Sequence, residues 1–229
     1  AFLPWHRLYM RAHELLLQTE CNYTGAQPYW EESLDVTALN ASSVFDPTTG
    51  FGGNGAGDDE CVADGPFQNL TLHINQTSSS ASYCLSRSLD ADNFQKANTT
   101  YIDECYASAD YDTAYQCYKS SPHTAGHAGV GGTPLFFLHH TNLDRLWWLW
   151  QSANLTARLT DMTGRNVPQT SYLEQNGFDY PGADILNYDG DPANVTTLNH
   201  NLWMVGIIPN ATVGDVMDLG GELICAEYV

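Results

Sequence analysis

His123 and His127 lie four residues apart, and His139 and His140 follow inside the aromatic run from Leu135 to Trp148. Near the other end of the chain, Phe2-Leu-Pro-Trp-His6-Arg7 sets a further imidazole in a similarly apolar frame. Imidazole is a ligand for copper, zinc, iron and nickel, and an all-histidine donor set walled by aromatic rings leans toward copper. On a helix, a pair at this spacing has its β-carbons about 5–6 Å apart on one face. Two ring nitrogens can then meet one ion at about 2 Å each. Taken alone the His-X-X-X-His spacing is weak, because surface and capping histidines produce it too. Gly126 inside it also lowers helix propensity. Neighbours on a helix point about 100° apart, so His139 and His140 compete for the third position. Asp144, four residues beyond His140, is placed to accept an imidazole proton and fix a ligand's tautomer. That favours His140 and leaves His139 as a packed or hydrogen-bonding neighbour.

Several elements must position these rings. Leu8, Ala12, Leu15 and Leu16 recur at three- and four-residue spacing and predict a helix from Trp5 to Glu20, with proline just before its start. Residues 43–100, rich in Gly, Ser, Asn and Thr, read as long surface connections stapled by cysteines. A second helical pattern through 101–118 leads into the His123–His127 turn. A third helix is expected to start near Thr141 or Asn142, with Asn142 as its cap, and to run to about Ala157. The last part mixes turn signals such as Tyr188–Pro192 with apolar runs such as Leu202–Ile208, read as short strands. The expected chain is mainly α, a single domain over 1–229 with stapled loops and a few short strands.

Composition narrows the partners. The net charge is −19 with eight Lys plus Arg, which repels phosphate backbones and anionic lipid, so no nucleic acid and no membrane are expected as partners. No apolar run approaches the roughly 20 residues that span a bilayer. Asn-X-Ser/Thr acceptors stand at Asn22, Asn40, Asn69, Asn75, Asn98, Asn154, Asn194 and Asn210, a density that points to N-linked glycans and a secreted, extracellular protein. The six cysteines are even in number and contain no Cys-X-X-Cys. Up to three disulfides in an oxidising compartment are expected, among fifteen connectivities.

These segments together resemble the two copper motifs of the tyrosinase, catechol oxidase and hemocyanin group. Phe2-Leu-Pro-Trp-His6-Arg7 is similar to the end of the copper A motif, with His6 as that site's third ligand, and Glu14 and Gln27-Pro-Tyr-Trp30 also fit. His123, His127 and His140 match the three copper B ligands, and Asn142 and Asp144-Arg145 match the residues that follow. The run Cys61–Phe67 resembles the linker of short fungal members, and Val216-Met-Asp with Cys225-Ala-Glu-Tyr228 resembles the close of their catalytic core. The family has two more copper A histidines upstream of the Phe-Leu-Pro-Trp element, so an N-terminally incomplete chain is expected, and His13 is no substitute for them. No C-terminal shielding domain is seen. Thr133-Pro134 stands where relatives end a longer loop in Asp-Pro.

The resemblance implies a four-helix-bundle core holding two copper ions, O2 as co-substrate, and a small phenolic substrate oxidised to an o-quinone. Thr124 and Ala128 follow the first two copper B histidines, facing the substrate pocket. Related enzymes often carry an asparagine after the first of these, to orient a water that deprotonates a monophenol. Neither Thr124 nor Ala128 can hold a water as an amide does, so a catechol oxidase is favoured over a tyrosine hydroxylase. Phe136, Phe137 and Trp147 are candidate walls of the site. The alternatives are a copper-poor binding glycoprotein with four of six ligands and, less favoured, a hemocyanin-like O2 carrier.

Overall fold

The computed structural model describes residues 1–73, 82–130, 135–184, 190–191 and 194–229. Asn75, the Thr133-Pro134 loop and most of the Tyr188–Pro192 turn lie outside the described residues. In chain order the main elements are α1 (Phe2–Cys21), β1 (Gly55–Ala56), β2 (Cys61–Val62), β3 (Thr71–Leu72), β4 (Tyr83–Cys84), α2 (Ala91–Phe94), α3 (Thr99–Tyr106), α4 (Tyr111–Tyr118), α5 (Thr124–Val130), α6 (Leu135–Ser152), α7 (Leu155–Arg158), α8 (Thr170–Gln175), β5 (Asn201–Leu202) and β6 (Ala211–Thr212). A short helix, Val213–Val216, follows. The chain is therefore mainly helical with long connections and, among the described residues, three antiparallel strand pairs, β1–β2, β3–β4 and β5–β6. Among the described residues, no helix is long and apolar enough to cross a membrane.

Two compact units make up the chain: Ala1–Gln27, Cys105–Gln116 and Asp144–Val229 form the first, and Pro28–Glu104 and Cys117–Leu143 the second. In the first unit, α1 takes Pro4 into its opening turn, where the missing N–H costs nothing. It ends on Asn22 in the left-handed conformation, φ 53°, which an asparagine tolerates. Arg7 is the keystone of this unit. Its Nε donates to Asp144 Oδ1 at 2.6 Å, and its Nη1 donates to the carbonyls of Val216 and Met217. Its guanidinium lies 3.9 Å from the Trp147 ring centroid. Tyr111 meets Trp147 edge-on, and Trp150 Nε1 donates to the Ser108 carbonyl. Trp147, a candidate wall of the site, is packed in this core together with Trp150.

The second unit is built around Trp30, which stacks on Phe94 at 5.3 Å between ring centroids and meets Phe45 edge-on. Val36, Leu39, Ala97, Ala125, Val130 and Leu135 complete the cluster. Burying each of its larger side chains contributes about 1.5–3 kcal/mol. Helix α2 starts on Asp90, whose Oδ1 accepts from the amides of Asp92 and Asn93, and it packs on α5. A Cβ at Gly129 would run into Phe94, so that glycine sets how closely the two helices approach. The β2 and β4 ends are stapled by the Cys61–Cys84 disulfide.

Three expectations need correction. The 101–118 pattern is two helices, α3 and α4, because Asp110 Oδ1 caps a new start by accepting from Thr113 N at 2.9 Å. Helix α6 begins at Leu135 and ends at Ser152, so His139 and His140 stand inside it. Asn142 is thus no cap; it is buried, and its Nδ2 donates to Glu32 Oε2 at 3.2 Å. Of the six cysteines, Cys105 and Cys117 are disulfide-bonded as well as Cys61 and Cys84. Cys21 and Cys225 are free and exposed, so the bridges formed are two, within the limit of three expected.

Candidate metal centre

Ahead of α5, the chain makes a π-helical turn over Lys119–His123 containing Pro122. Proline lacks an amide proton and crowds the preceding turn, which accounts for the widened ladder. The turn delivers His123, and the first turn of α5 delivers His127, with ring centroids 4.5 Å apart and planes at 76°. Helix α6 brings His139 and His140. All four belong to the second unit, and one ring nitrogen from each lies within 4.8 Å of the others. His139 and His140 are buried, His123 is half-buried, and His127 faces outward. Phe136 packs on the His140 ring at 4.2 Å between centroids.

Three features fit a bound cation. His127 Nε2 and His140 Nε2 stand 3.1 Å apart. Two ring nitrogens that close need a proton between them or a shared ion, and about 2 Å from each nitrogen to an ion gives such a separation. Partial burial, with repulsion from His139, pushes the His127 pKa down to about 4. The ring is therefore neutral at physiological pH and offers a lone pair. His139 Nδ1 is 2.6 Å from Glu32 Oε1; a carboxylate accepts, so the nitrogen carries the proton. The remaining nitrogen, Nε2, is buried and has no hydrogen-bond partner among the described residues. An imidazole held by a carboxylate through one nitrogen and open at the other is the usual state of a metal-bound histidine.

Glu32 was not visible in the spacing of the histidines. It lies 107 residues before His139, and Trp30 N donates to the Leu138 carbonyl at 3.3 Å to hold its segment on α6. Asp144 has a different role from the one expected. Its Oδ1 accepts from Arg7 and its Oδ2 from the Tyr228 hydroxyl at 2.6 Å, so both oxygens are engaged within the first unit. The carboxylate that holds an imidazole of this cluster is Glu32, on His139. Gly126, which counted against the motif in the sequence, has a steric function: a Cβ there would overlap the His139 ring.

His6 belongs to the first unit, in the opening turns of α1. Its Nδ1 lies 2.8 Å from the Phe2 carbonyl, which can only accept. Nδ1 therefore holds the proton and Nε2 bears the lone pair, the tautomer a metal ligand needs. His13 is oriented by Gln27 Oε1 at 2.7 Å. Thr124 donates its hydroxyl to the Lys119 carbonyl at 2.9 Å. Ala128, with His127, lines a cavity of about 400 Å³.

Comparison with known proteins gives the family of the chain. The family model described as the common central domain of tyrosinase matches residues 1–153. The tyrosinase-like protein phomQ1' of Diaporthe leptostromiformis is 30% identical to this chain over all of it, across 65% of its own length. Tyrosinase ustQ of Aspergillus flavus is 31% identical over the whole chain, across 63% of its own length. The chain thus spans a little under two thirds of these curated relatives. A solved polyphenol oxidase structure from Thermothelomyces thermophila superposes with a TM-score of 0.76 at 24% identity, covering 100% of this chain and 72% of that one, a likeness of fold. The chain belongs to the tyrosinase family, whose centre is a coupled pair of copper ions.

Proposed function

We propose that the chain contributes to the single catalytic core of a secreted, copper-dependent polyphenol oxidase acting on o-diphenols. In the overall reaction two diphenols give four electrons and four protons to one O2, yielding two o-quinones and two waters. The observation that carries the reading is the convergence of four imidazole donors within 4.8 Å in a chain of the tyrosinase family. His123, His127 and His140 would hold one copper ion, with His139 held by Glu32 alongside them, and His6 would contribute to the second. Copper, when bound, supplies the electron transfer to O2.

The remaining work falls to the chain's own residues. Glu32 fixes the His139 tautomer, and Phe136 restrains the His140 ring. Thr124 commits its hydroxyl to the backbone and Ala128 has no polar side-chain atom to give, so neither side chain positions a water to deprotonate a monophenol. That supports o-diphenol oxidation over tyrosine hydroxylation. Secretion with N-linked glycans is supported by the exposure of Asn22, Asn40, Asn69, Asn154 and Asn210; Asn98 and Asn194 are half-buried. The test is copper analysis of the natural protein together with quinone formation from 4-tert-butylcatechol. Two copper ions per full-length chain and rapid quinone formation are expected. Stoichiometric copper without oxidation of any diphenol would overturn the reading.

A further inference from the structure

The cavity beside His127 has a charged wall that the chemistry above does not use. Besides His127 and Ala128, it is lined by Glu60, Tyr83, Ser86 and Ser88, all in the second unit. Its volume of about 400 Å³ is in the range of small-molecule sites. It meets the donor cluster at His127, so a ring approaching that histidine would extend its substituent toward the polar wall.

Among the described residues, two ionic side chains line this wall, and they differ in availability. Arg87 is buried, and its guanidinium donates to the carbonyls of Phe51, Gly52 and Gly53. Its positive charge is thereby committed to holding the loop. Glu60 is exposed. Ser88 Oγ donates to its Oε1 at 2.8 Å, which orients the carboxylate and leaves it further acceptor capacity. Asp58 and Asp59 precede it, also exposed, and deepen the negative potential at this edge.

The backbone at Glu60 gives a second reason to assign its side chain a role. Its φ is +51°, a region where glycine is at ease and a side chain costs about 1–2 kcal/mol. Its carbonyl accepts from Arg87 N at 2.9 Å, so the turn is fixed in this shape. Glycine would serve the turn better; a glutamate there has a use for its carboxylate.

We propose that Glu60 selects phenolic substrates bearing a cationic amino substituent, pairing with the ammonium while the ring lies beside His127 and Ala128. The inference rests on the oxidase reading of the same site. A carboxylate substituent would meet repulsion from Glu60, and a neutral one would meet neither effect.

The test uses the full-length, copper-loaded protein and three catechols: dopamine, 4-methylcatechol and 3,4-dihydroxyphenylpropionate. We expect kcat/KM to fall in that order, and the dopamine advantage over 4-methylcatechol to shrink as salt is added. In Glu60→Gln the dopamine to 4-methylcatechol ratio should drop about three-fold, the scale of an exposed ion pair. Glu60→Gly removes the carboxylate while relieving the backbone, so it should lose the same preference in a protein that melts no lower. An unchanged ratio in both variants would overturn the proposal. Equilibrium titration with tyramine, 4-ethylphenol and 4-hydroxyphenylacetate separates the two readings. Failure to oxidise any catechol, with tyramine still bound tightest in a Glu60-dependent way, would sink the oxidase reading and leave the cation site standing. Equal binding of all three phenols would sink the cation site.

Discussion

At the scale of single residues, the centre is a set of imidazoles whose neighbours decide which nitrogen faces inward. Glu32→Gln removes the carboxylate that fixes the His139 tautomer. It should weaken copper binding by about 10–100-fold, the usual effect of losing such a partner, measured by competition with a copper chelator. An unchanged affinity would show that His139 has no influence on the ion. Gly126→Ala forces a methyl group into the His139 ring. A destabilisation of about 1–3 kcal/mol is expected in chemical denaturation, with fewer copper ions retained per chain. Residue spacing made His123 and His127 legible, because a four-residue interval is a property of one helix face. It could not reveal Glu32, which reaches His139 across 107 positions. Nor could it show that the oxygens of Asp144 go to Arg7 and Tyr228, 137 and 84 positions away. Local periodicity reports which way a side chain points, while its partner is set by tertiary packing.

At the scale of elements, each support of the site can be removed separately. Arg7 and Asp144 pair inside the first unit and tie α1 to the C-terminal part of α6. Arg7→Ala leaves a buried carboxylate unpaired and should cost about 3–5 kcal/mol, read from the urea midpoint. A loss below about 1 kcal/mol would show the pair to be incidental. The Cys61–Cys84 bridge closes a loop with sequence separation 23, which gives about 3 kcal/mol of stabilisation on chain-entropy grounds. Its replacement by two serines should lower the melting temperature and loosen the cavity wall that carries Tyr83. The helical character of these elements followed from the 3.6-residue period. Their boundaries did not, as α6 shows: Asn142 has the chemistry of a cap, but its amide is used by Glu32, so the helix runs on through it from Leu135.

At the scale of the whole molecule, burial of ionisable groups sets the pH range of stability. Tyr111 and Tyr228 have pKa values raised above the usual tyrosine range, chiefly by burial, with the Asp144 charge adding to the effect at Tyr228. The folded state keeps these protons while the unfolded state releases them above about pH 10. Stability is therefore full below that pH and falls as pH rises past it. Melting temperatures from about pH 8 to about pH 11 should be level at first and then decline; a level curve throughout would contradict the burial of both hydroxyls. The most direct test of the central claim is an anomalous difference map recorded at the copper edge on crystals of the copper-loaded protein. The account predicts a peak about 2 Å from Nε2 of His127 and of His140, with His123 on the same ion. Copper bound elsewhere, with these rings turned away from any peak, would contradict it.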